Sequence, residues 1–477
     1  MEMYSDTTYD AVIVGAGVSG LLAAHELLSR RFARIMLVDA GLPMEQRRAQ
    51  TTLQMGGYGG AGLYLGGRLY FGSASLPVAS PVSMPERMRA VISGDAFVRR
   101  ATEVDQLLHE LGARAEWQQR PPEPLEQEIQ QAAAVGLEYV TSYPSRRLSP
   151  EDKSEVLGSL RKRLESRGAQ FLFQTEALEA LHDGDTFTVL ARTTRDGREE
   201  TARLMARALL LAPGRYGAEW LTRTAQALGA EIVAAPSTIG VRLEVPSAAY
   251  DPLTDVNPDP RLQMPMDGDV ILKTYATCPG GVVTPTVRYG ALVASGTPIF
   301  KREERGRTTT FAVLAQPGVH AAQGEWRGGE ECARRLNERA PGRLVVQRLG
   351  DVFRGQATTA EALAGNSVKP SDPTAIAGAL HDVYPQAYWR AVQEFLGRID
   401  RLAPGVLTDD ALVYGPAEER FWFFPTDDAL QTSVPGLFVA GDGPGQSQGI
   451  IQASVAGWLA GEGMARALDA IAGGQRA

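Results

Sequence analysis

The chain has 477 residues, which at ~150 residues per domain suggests about three domain-sized units. A single core rarely grows past ~250–300 residues, so at least two cores or interleaved segments are expected. Charged residues at 22% and hydrophobic residues at 44% exclude a disordered chain, and a net charge of −8 argues against an electrostatic nucleic-acid binder. The 51 Gly and 29 Pro follow no Gly-X-Y period, so collagen-like structure is excluded too. Cys278 and Cys332 are too few for a disulfide framework or a cysteine-based zinc site. The opening Met-Glu-Met-Tyr-Ser-Asp has no basic n-region and no apolar run approaches ~18 residues. The expectation is a cytoplasmic enzyme with neither a membrane nor a nucleic-acid partner.

Residues 9–14 (Tyr-Asp-Ala-Val-Ile-Val) form a short β-branched run suited to a strand buried on both faces. Gly15-Ala-Gly17-Val-Ser19-Gly20 follows, then a helix over 21–30 and a second strand over 35–38 that ends at Asp39. This is G-x-G-x-x-G inside a βαβ unit. Gly15 permits the tight turn, Gly17 lets backbone approach a pyrophosphate, and Gly20 allows close helix–strand packing. The helix N-terminus supplies amide donors, and Asp39 is placed to accept from an adenosine ribose. Gly15, Gly17, Ser19, Gly20 and Asp39 are therefore the first cofactor-binding candidates, for FAD or for NAD.

Further along, residues 56–67 hold seven glycines in twelve positions. Gly59, Gly60, Ala61 and Gly62 there are expected to bring backbone amides up to a large ligand. A helical insertion is expected over 81–149, with Arg120-Pro-Pro-Glu-Pro124 as a linker. Strands between 171 and 192 are broken at Asp183-Gly184, with a second hairpin signal at Asp196-Gly197. An apolar strand over 208–212 then ends in a tight turn at Gly214. Residues 241–245 and 282–293 read as strands and 385–399 as a helix. Gly436-Leu-Phe-Val-Ala-Gly-Asp442 is a buried strand ending in an acid, and Gly449 precedes a helix over 450–468. No second G-x-G-x-x-G follows a strand, so a separate NAD(P)H domain is not expected.

A three-stranded meander returning to a strand that ends in Ala-Pro-Gly resembles two-dinucleotide-domain flavoproteins of the glutathione-reductase type, which decides for FAD. Within that superfamily the chain resembles the uncharacterised FAD-dependent dehydrogenase family over nearly its whole length. The carriers are Gly57-Tyr-Gly-Gly-Ala-Gly-Leu-Tyr-Leu-Gly-Gly-Arg-Leu69, Ala212-Pro-Gly-Arg-Tyr-Gly217, Ile239-Gly-Val-Arg-Leu-Glu-Val-Pro246, Val346-Gln-Arg-Leu-Gly-Asp351 and Gly441-Asp-Gly-Pro-Gly-Gln-Ser-Gln-Gly-Ile-Ile-Gln-Ala453. The resemblance implies that Asp442 bonds the flavin ribityl or phosphate portion. It also implies that Gly449 and Ile450, at the helix start, face the pyrimidine edge of the ring. The chain departs from the family at Leu65-Gly66-Gly67-Arg68, where members carry Ser-Asp-Gly-Lys, and at Ala276, where a Cys is expected.

The fold expected is α/β: a discontinuous Rossmann-type FAD-binding domain with a β-meander (1–80, 150–225 and 405–477) and an inserted α+β substrate domain (226–404). The expected activity is that of an FAD-dependent dehydrogenase or oxidase moving a hydride between a small organic substrate and flavin N5. The alternatives are a reductase or monooxygenase reduced by NAD(P)H, with NAD(P)H or O2 as electron partner, and a non-catalytic flavin-binding protein. Tyr64 and Arg68 are the catalytic candidates, with Arg68 suited to a carboxylate or to anionic flavin. Arg242, Tyr275, Arg354 and Gln446 are substrate-side candidates, although for Arg242 a salt bridge to Glu244 or Asp255 is the plainer reading. The aromatic run 421–424 is expected in the core. The five histidines show no metal-ligand spacing, and no metal site is expected.

Overall fold

The computed structural model describes residues 3–47, 56–70, 94–141, 143–195, 198–234, 238–288, 290–297, 299, 302–317, 328–417, 422–447 and 449–474. The hairpin signal at Asp196-Gly197 and Phe421 of the aromatic run lie outside the described residues. The chain divides into two compact units, one of Met1–Arg120, Ser142–Ala234 and Trp422–Ala477, the other of Pro121–Thr141 and Ala235–Phe421.

The first unit is organised by one seven-stranded sheet. Strand β1 (Met3–Val14), helix α1 (Val18–Ser29) and strand β2 (Ile35–Val38) make its opening βαβ unit. β1 and β2 run parallel with Ala11 opposite Ile35 and Val14 opposite Val38. On the other side β1 pairs in parallel with the long strand Arg198–Leu211, Val14 opposite Leu211. That long strand changes neighbour partway. Its first part continues the antiparallel meander Thr175–His182 and Phe187–Arg195, Arg195 opposite Arg198 and Phe187 opposite Ala206. Its last three residues pair in parallel with Leu437–Val439, Leu211 opposite Val439. The four strands β1, β2, Arg198–Leu211 and Leu437–Val439, with Ala169–Leu172 as a fifth beside Ile35–Val38, thus run parallel and end in register at one edge of the sheet.

Both faces of the parallel part of this sheet are covered, which is why residues 11–14, 35–38 and 208–211 are apolar throughout, whereas the meander strand Thr175–His182 alternates. Ala11 and Ile13 pack with α1, the helix Pro150–Glu165 and the C-terminal helix Ile450–Gly474 on one side. Val12, Val14, Leu209 and Leu211 pack with Leu221 and Ala225 of the helix Ala218–Ala227 on the other. The C-terminal helix crosses α1 at unusually short range. A Cβ on Gly457 would run into the backbone of Ser19, and one on Gly461 would sit 2.8 Å from the Ala23 carbonyl oxygen. Glycine inside a helix costs about 1 kcal/mol relative to alanine, and here it is the condition for the contact.

The second unit carries an eight-stranded sheet, ordered Ile376–Ala377, Val345–Arg348, Leu412–Gly415, Ile239–Pro246, Thr308–Pro317, Val270–Cys278, Leu262–Met266 and Glu138–Tyr139. A separate ribbon pairs Val282–Arg288 with Ala291–Thr297, and Gln386–Asp400 is a helix. The described residues of 81–149 are divided between the two units rather than forming one helical insertion. The helix Gly94–Glu110 belongs to the first unit, whereas Glu123–Ala134 and the strand Glu138–Tyr139, paired with Leu262 and Gln263, belong to the second. Two residues of strand are too short to announce themselves in a polar sequence, so this division is set by pairing at long range.

His25, on α1, is buried with its ring edge-on to Trp458. Burial, helped by the charges of Arg163 and Arg167, lowers its pKa to about 4. The folded chain therefore keeps the neutral ring. As pH falls below about 6.5 the unfolded chain takes up a proton that the folded chain refuses, so stability present near neutrality is lost between pH 6.5 and 4. The full effect is about 3 kcal/mol. His25→Leu is expected to flatten that part of the profile, measured as the difference in urea midpoint between wild type and variant across this pH range.

Candidate functional site

The shared edge of the four parallel strands gathers the loops on which the motifs lie. β1 runs into Gly15, at φ +110°, where a Cβ would collide with the Ala212 carbonyl at the end of the neighbouring strand. Only glycine meets both demands. A Cβ on Gly20 would strike the Gly15 carbonyl, so the two glycines lock the turn to its helix. Gly17 differs: it is the N-cap of α1, it makes no side-chain cap bond, and a Cβ there meets nothing closer than Gly60 Cα at 3.9 Å. The first turn of α1 contains no acidic residue, and its amides face an uncapped, positively polarised end.

Asp39, leaving β2, ties three loops together. Its Oδ2 accepts from the Ala16 amide at 2.8 Å, and its Oδ1 accepts from Gly41 at 2.8 Å and Gly57 at 2.7 Å. A carboxylate offers about four acceptor sites, so Oδ2 keeps room for one more donor. The glycine-rich segment is not an open loop over its whole length, for Gly60–Gly66 winds as a single π-helical turn entered through Gly59 in the left-handed region. Gly60 packs on Gly17, with its Cβ position 3.0 Å from Gly17 Cα, and the Gly62 Cβ position is 3.1 Å from Ile450 Cγ1. Gly214 follows the adjacent strand at φ +69°, and a Cβ on Gly443 would sit 2.9 Å from its carbonyl oxygen. Arg215 Nε lies 3.2 Å from Asp442 Oδ2. At the start of the C-terminal helix, the Tyr70 hydroxyl is 2.6 Å from the Cβ position of Gly449.

Gly15, Gly17, Gly20, Asp39, Gly59, Gly60, Ala61, Gly62, Gly214, Asp442, Gly449 and Ile450 are thus brought into one region of the first unit. Ser19 lies there too, but its hydroxyl donates to the Ala453 carbonyl at 2.8 Å and serves the helix–helix contact. Gln446 is 2% exposed and Ser447 1% exposed, and neither the Gln446 amide atoms nor Ser447 Oγ has a hydrogen-bond partner among the described residues. Buried amides and hydroxyls are nearly always bonded, so these groups point to a ligand or to water.

Tyr64 is a brace rather than an open hydroxyl: it donates to the Arg47 carbonyl at 2.8 Å, and the Arg47 guanidinium lies 3.8 Å over its ring. Arg47 donates in turn to the carbonyls of Tyr58 at 2.5 Å and Gly60 at 3.3 Å. Burial lowers its pKa, opposed by Tyr64 and Asp39. Arg47 and Arg215 are the structural participants that sequence reasoning missed. Nothing in the polar run around residue 47 marks it, whereas Arg215 stands inside a quoted motif.

The remaining candidates lie in the second unit. Arg242 is fully buried and makes no salt bridge to Glu244 or Asp255. It donates to Thr310 Oγ1 at 2.7 Å, to the Ala276 carbonyl at 2.9 Å and to Cys278 Sγ at 3.2 Å. Glu244 is held elsewhere, accepting from Thr308, Ser371 and the Tyr414 hydroxyl. Burial lowers the pKa of Arg242 and raises that of the Cys278 thiol. Tyr275 packs beside Ala312, Leu314 and Ala417 with Lys273 over its ring. Arg354 is engaged with Asp409 at 2.6 Å and Asp351 at 2.8 Å in a surface ion network. Among the described residues no group of three or more His, Cys, Asp or Glu side chains could hold a metal ion, and no helix is long and apolar enough to cross a membrane.

A family model described as FAD dependent oxidoreductase (DAO) matches residues 10–462. Among curated proteins, none matches. Solved structures similar to the chain include a 3-ketosteroid-delta4-(5alpha)-dehydrogenase from Rhodococcus jostii RHA1, at 14% identity and a TM-score of 0.39, covering 96% of this chain and 97% of that one. Glycine oxidase from Geobacillus kaustophilus is similar at 14% identity and a TM-score of 0.38, covering 96% and 95%. The Mycobacterium smegmatis Sdh1 complex is similar at 15% identity and a TM-score of 0.43, covering 98% and 69%.

Two substitutions separate folding from binding. Gly20→Val drives a side chain into backbone and is expected to lower the melting temperature sharply. Gly17→Ala adds a Cβ that meets nothing among the described residues closer than Gly60 Cα at 3.9 Å, so the apoprotein is expected to melt as wild type while FAD retention after gel filtration falls at least about tenfold. Asp39→Asn turns an acceptor of three amides into a group that also donates. It is expected to lower both the apoprotein melting temperature and FAD affinity, the former by the loss of hydrogen bonds worth about 1 kcal/mol each.

Proposed function

The chain belongs to the FAD-dependent oxidoreductase (DAO) family, and from that premise we propose that its first unit holds the FAD and that the enzyme oxidises a small organic substrate as a dehydrogenase or oxidase. Family membership sets aside the non-catalytic alternative. The observation that carries the reading is the meeting of the three glycine-bearing segments with Asp39 and Asp442 at one sheet edge, beside a buried Gln446 amide and Ser447 hydroxyl in want of partners. These groups fit a dinucleotide: backbone that a side chain would obstruct, an uncapped helix end, and polar atoms without partners among the described residues.

In this reading the amides of Gly15–Gly20 and the N-terminus of α1 hold the pyrophosphate, and Oδ2 of Asp39 takes one ribose hydroxyl. Asp442 takes the ribityl or phosphate portion, and Arg215 beside it balances its charge. Arg47 and Tyr64 keep the π-helical turn closed over the site and so exclude water. The start of the C-terminal helix directs positive potential at the pyrimidine end, which favours negative charge there. When bound, FAD supplies a two-electron acceptor for a hydride from a substrate carbon. The likeness of residues 57–69 and 441–453 to uncharacterised FAD-dependent dehydrogenases supports the dehydrogenase side.

The test is an anaerobic reduction screen of the FAD-loaded chain, followed by absorbance. Bleaching by a candidate organic substrate but not by NAD(P)H is expected. Bleaching by NAD(P)H alone supports the reductase or monooxygenase reading instead. A chain that neither purifies yellow nor takes up added FAD refutes the proposal.

A further inference from the structure

In the first unit, Arg68–Tyr70 pairs antiparallel with Ser145–Arg147, and Arg68 stands directly opposite Arg147. Directly opposed residues project from the same face of a ribbon. Tyr70 and Ser145, also opposed, share that face; Leu69 and Arg146 occupy the other. The two faces treat their charges differently. On the Arg146 face the guanidinium is neutralised by Asp105 at 2.5 Å. On the opposite face neither Arg68 nor Arg147 has a carboxylate within salt-bridge distance among the described residues. Arg68 instead lies over the Tyr143 ring at 5.5 Å.

A third cation reinforces the pair. Lys153 passes Gly67, the residue before the ribbon, with Cδ 2.8 Å from the Gly67 Cβ position. Its ammonium is destabilised first by burial and then by the charge of Arg147, so the two cations feel each other. Like charges directly opposed across a strand pair are destabilising. Such an arrangement is made favourable by an anion between them, and two guanidinium forks are built for the two oxygens of a carboxylate or phosphate.

The ribbon also has a definite place. Tyr70, on the same face as Arg68, abuts Gly449 at the start of the C-terminal helix, where the flavin end of FAD is proposed to lie. We propose that Arg68 and Arg147 form an oxyanion-binding site and that the substrate of this enzyme is an anionic organic molecule, its carboxylate or phosphate held by these two side chains. The site's catalytic meaning rests on the FAD reading above; its affinity for an oxyanion does not.

The experiment uses the full chain, with and without added FAD, and measures binding of succinate, inorganic phosphate and the uncharged succinamide by calorimetry at constant ionic strength. In the FAD-loaded chain, the flavin difference spectrum is followed in parallel. Expected are saturable binding of succinate or phosphate at least about tenfold tighter than succinamide, a change in the flavin spectrum on binding, and a loss of about tenfold in Arg68→Gln and again in Arg147→Gln. Tighter succinate than phosphate assigns a carboxylate substrate, and the reverse a phosphorylated one. FAD affinity and melting temperature of both variants are expected to stay near wild type. Equal binding of succinate and succinamide, or wild-type anion binding in the variants, overturns the proposal. So does a tenfold loss of FAD affinity in the variants, which assigns the arginines to the cofactor's own phosphates. If FAD never binds yet succinate selectivity and its loss in the variants persist, the cofactor reading fails while the oxyanion site stands.

Discussion

The parallel register of four strands is the constraint on which the site depends. Val14 is opposite both Val38 and Leu211, and Leu211 is opposite Val439. The chain therefore leaves all four strands at the same level, and residues 15, 39, 212 and 440 emerge side by side although they are separated by up to about 425 positions. In parallel α/β sheets the carboxyl edge at a change of strand order leaves a crevice between diverging connections. Here the change lies in the strand Arg198–Leu211, which gives its first part to the meander and its last three residues to Leu437–Val439.

Holding that crevice open falls to backbone and to two charges, Asp39 half-buried and Arg47 buried. Asp39 accepts three amides from three separate segments, so the β1–α1 turn, the end of β2 and the glycine-rich segment are fixed by one carboxylate. Arg47 works in the opposite sense, donating to the carbonyls of Tyr58 and Gly60. Each satisfies backbone groups that the π-helical turn and its entry leave without regular partners. The glycines do the complementary work: Gly15 and Gly20 remove atoms that would strike neighbouring backbone, whereas the Cβ position of Gly17 meets nothing among the described residues closer than Gly60 Cα at 3.9 Å.

Most of this layout is legible in the sequence because it is local. The βαβ unit, the meander and the acid-terminated strand at 442 each need only a window of some tens of residues. The hidden parts are tertiary. That Asp39 has already spent most of its acceptor capacity on amides is a fact of three distant loops meeting. That the hydroxyl of Tyr64, a catalytic candidate from the sequence, donates to the Arg47 carbonyl is equally hidden, since Arg47 lies outside any periodic pattern. Arg242 is the clearest case. Alternation on a strand correctly puts it inward, yet charge matching within the same strand names the wrong partners. Its partners come from across the sheet: Thr310, the Cys278 thiol, and an Ala276 carbonyl turned inward where Ala276 takes a positive φ in the irregularity between Tyr275 and Cys278.

The distribution of charge separates scaffold from specificity. Buried cations that serve the scaffold are matched: Arg47 by carbonyls, Arg146 by Asp105, Arg242 by carbonyl, hydroxyl and thiol. Burial makes an unmatched charge costly, so these sites admit little change. Arg68 and Arg147 break that pattern, and they do so where contact with water makes the mismatch cheap, Arg147 being exposed and Arg68 partly so. An exposed pair of like charges is tolerable without an anion and improved by one, which is the energetic requirement for a site that must release what it binds. Where the FAD-dependent dehydrogenases that the chain resembles carry Ser-Asp-Gly-Lys, it has Leu65-Gly66-Gly67-Arg68, so an acid two positions before Arg68 is absent. The departure and the proposed oxyanion site thus have one physical sense: without that acid, the potential beside the two arginines favours an anion.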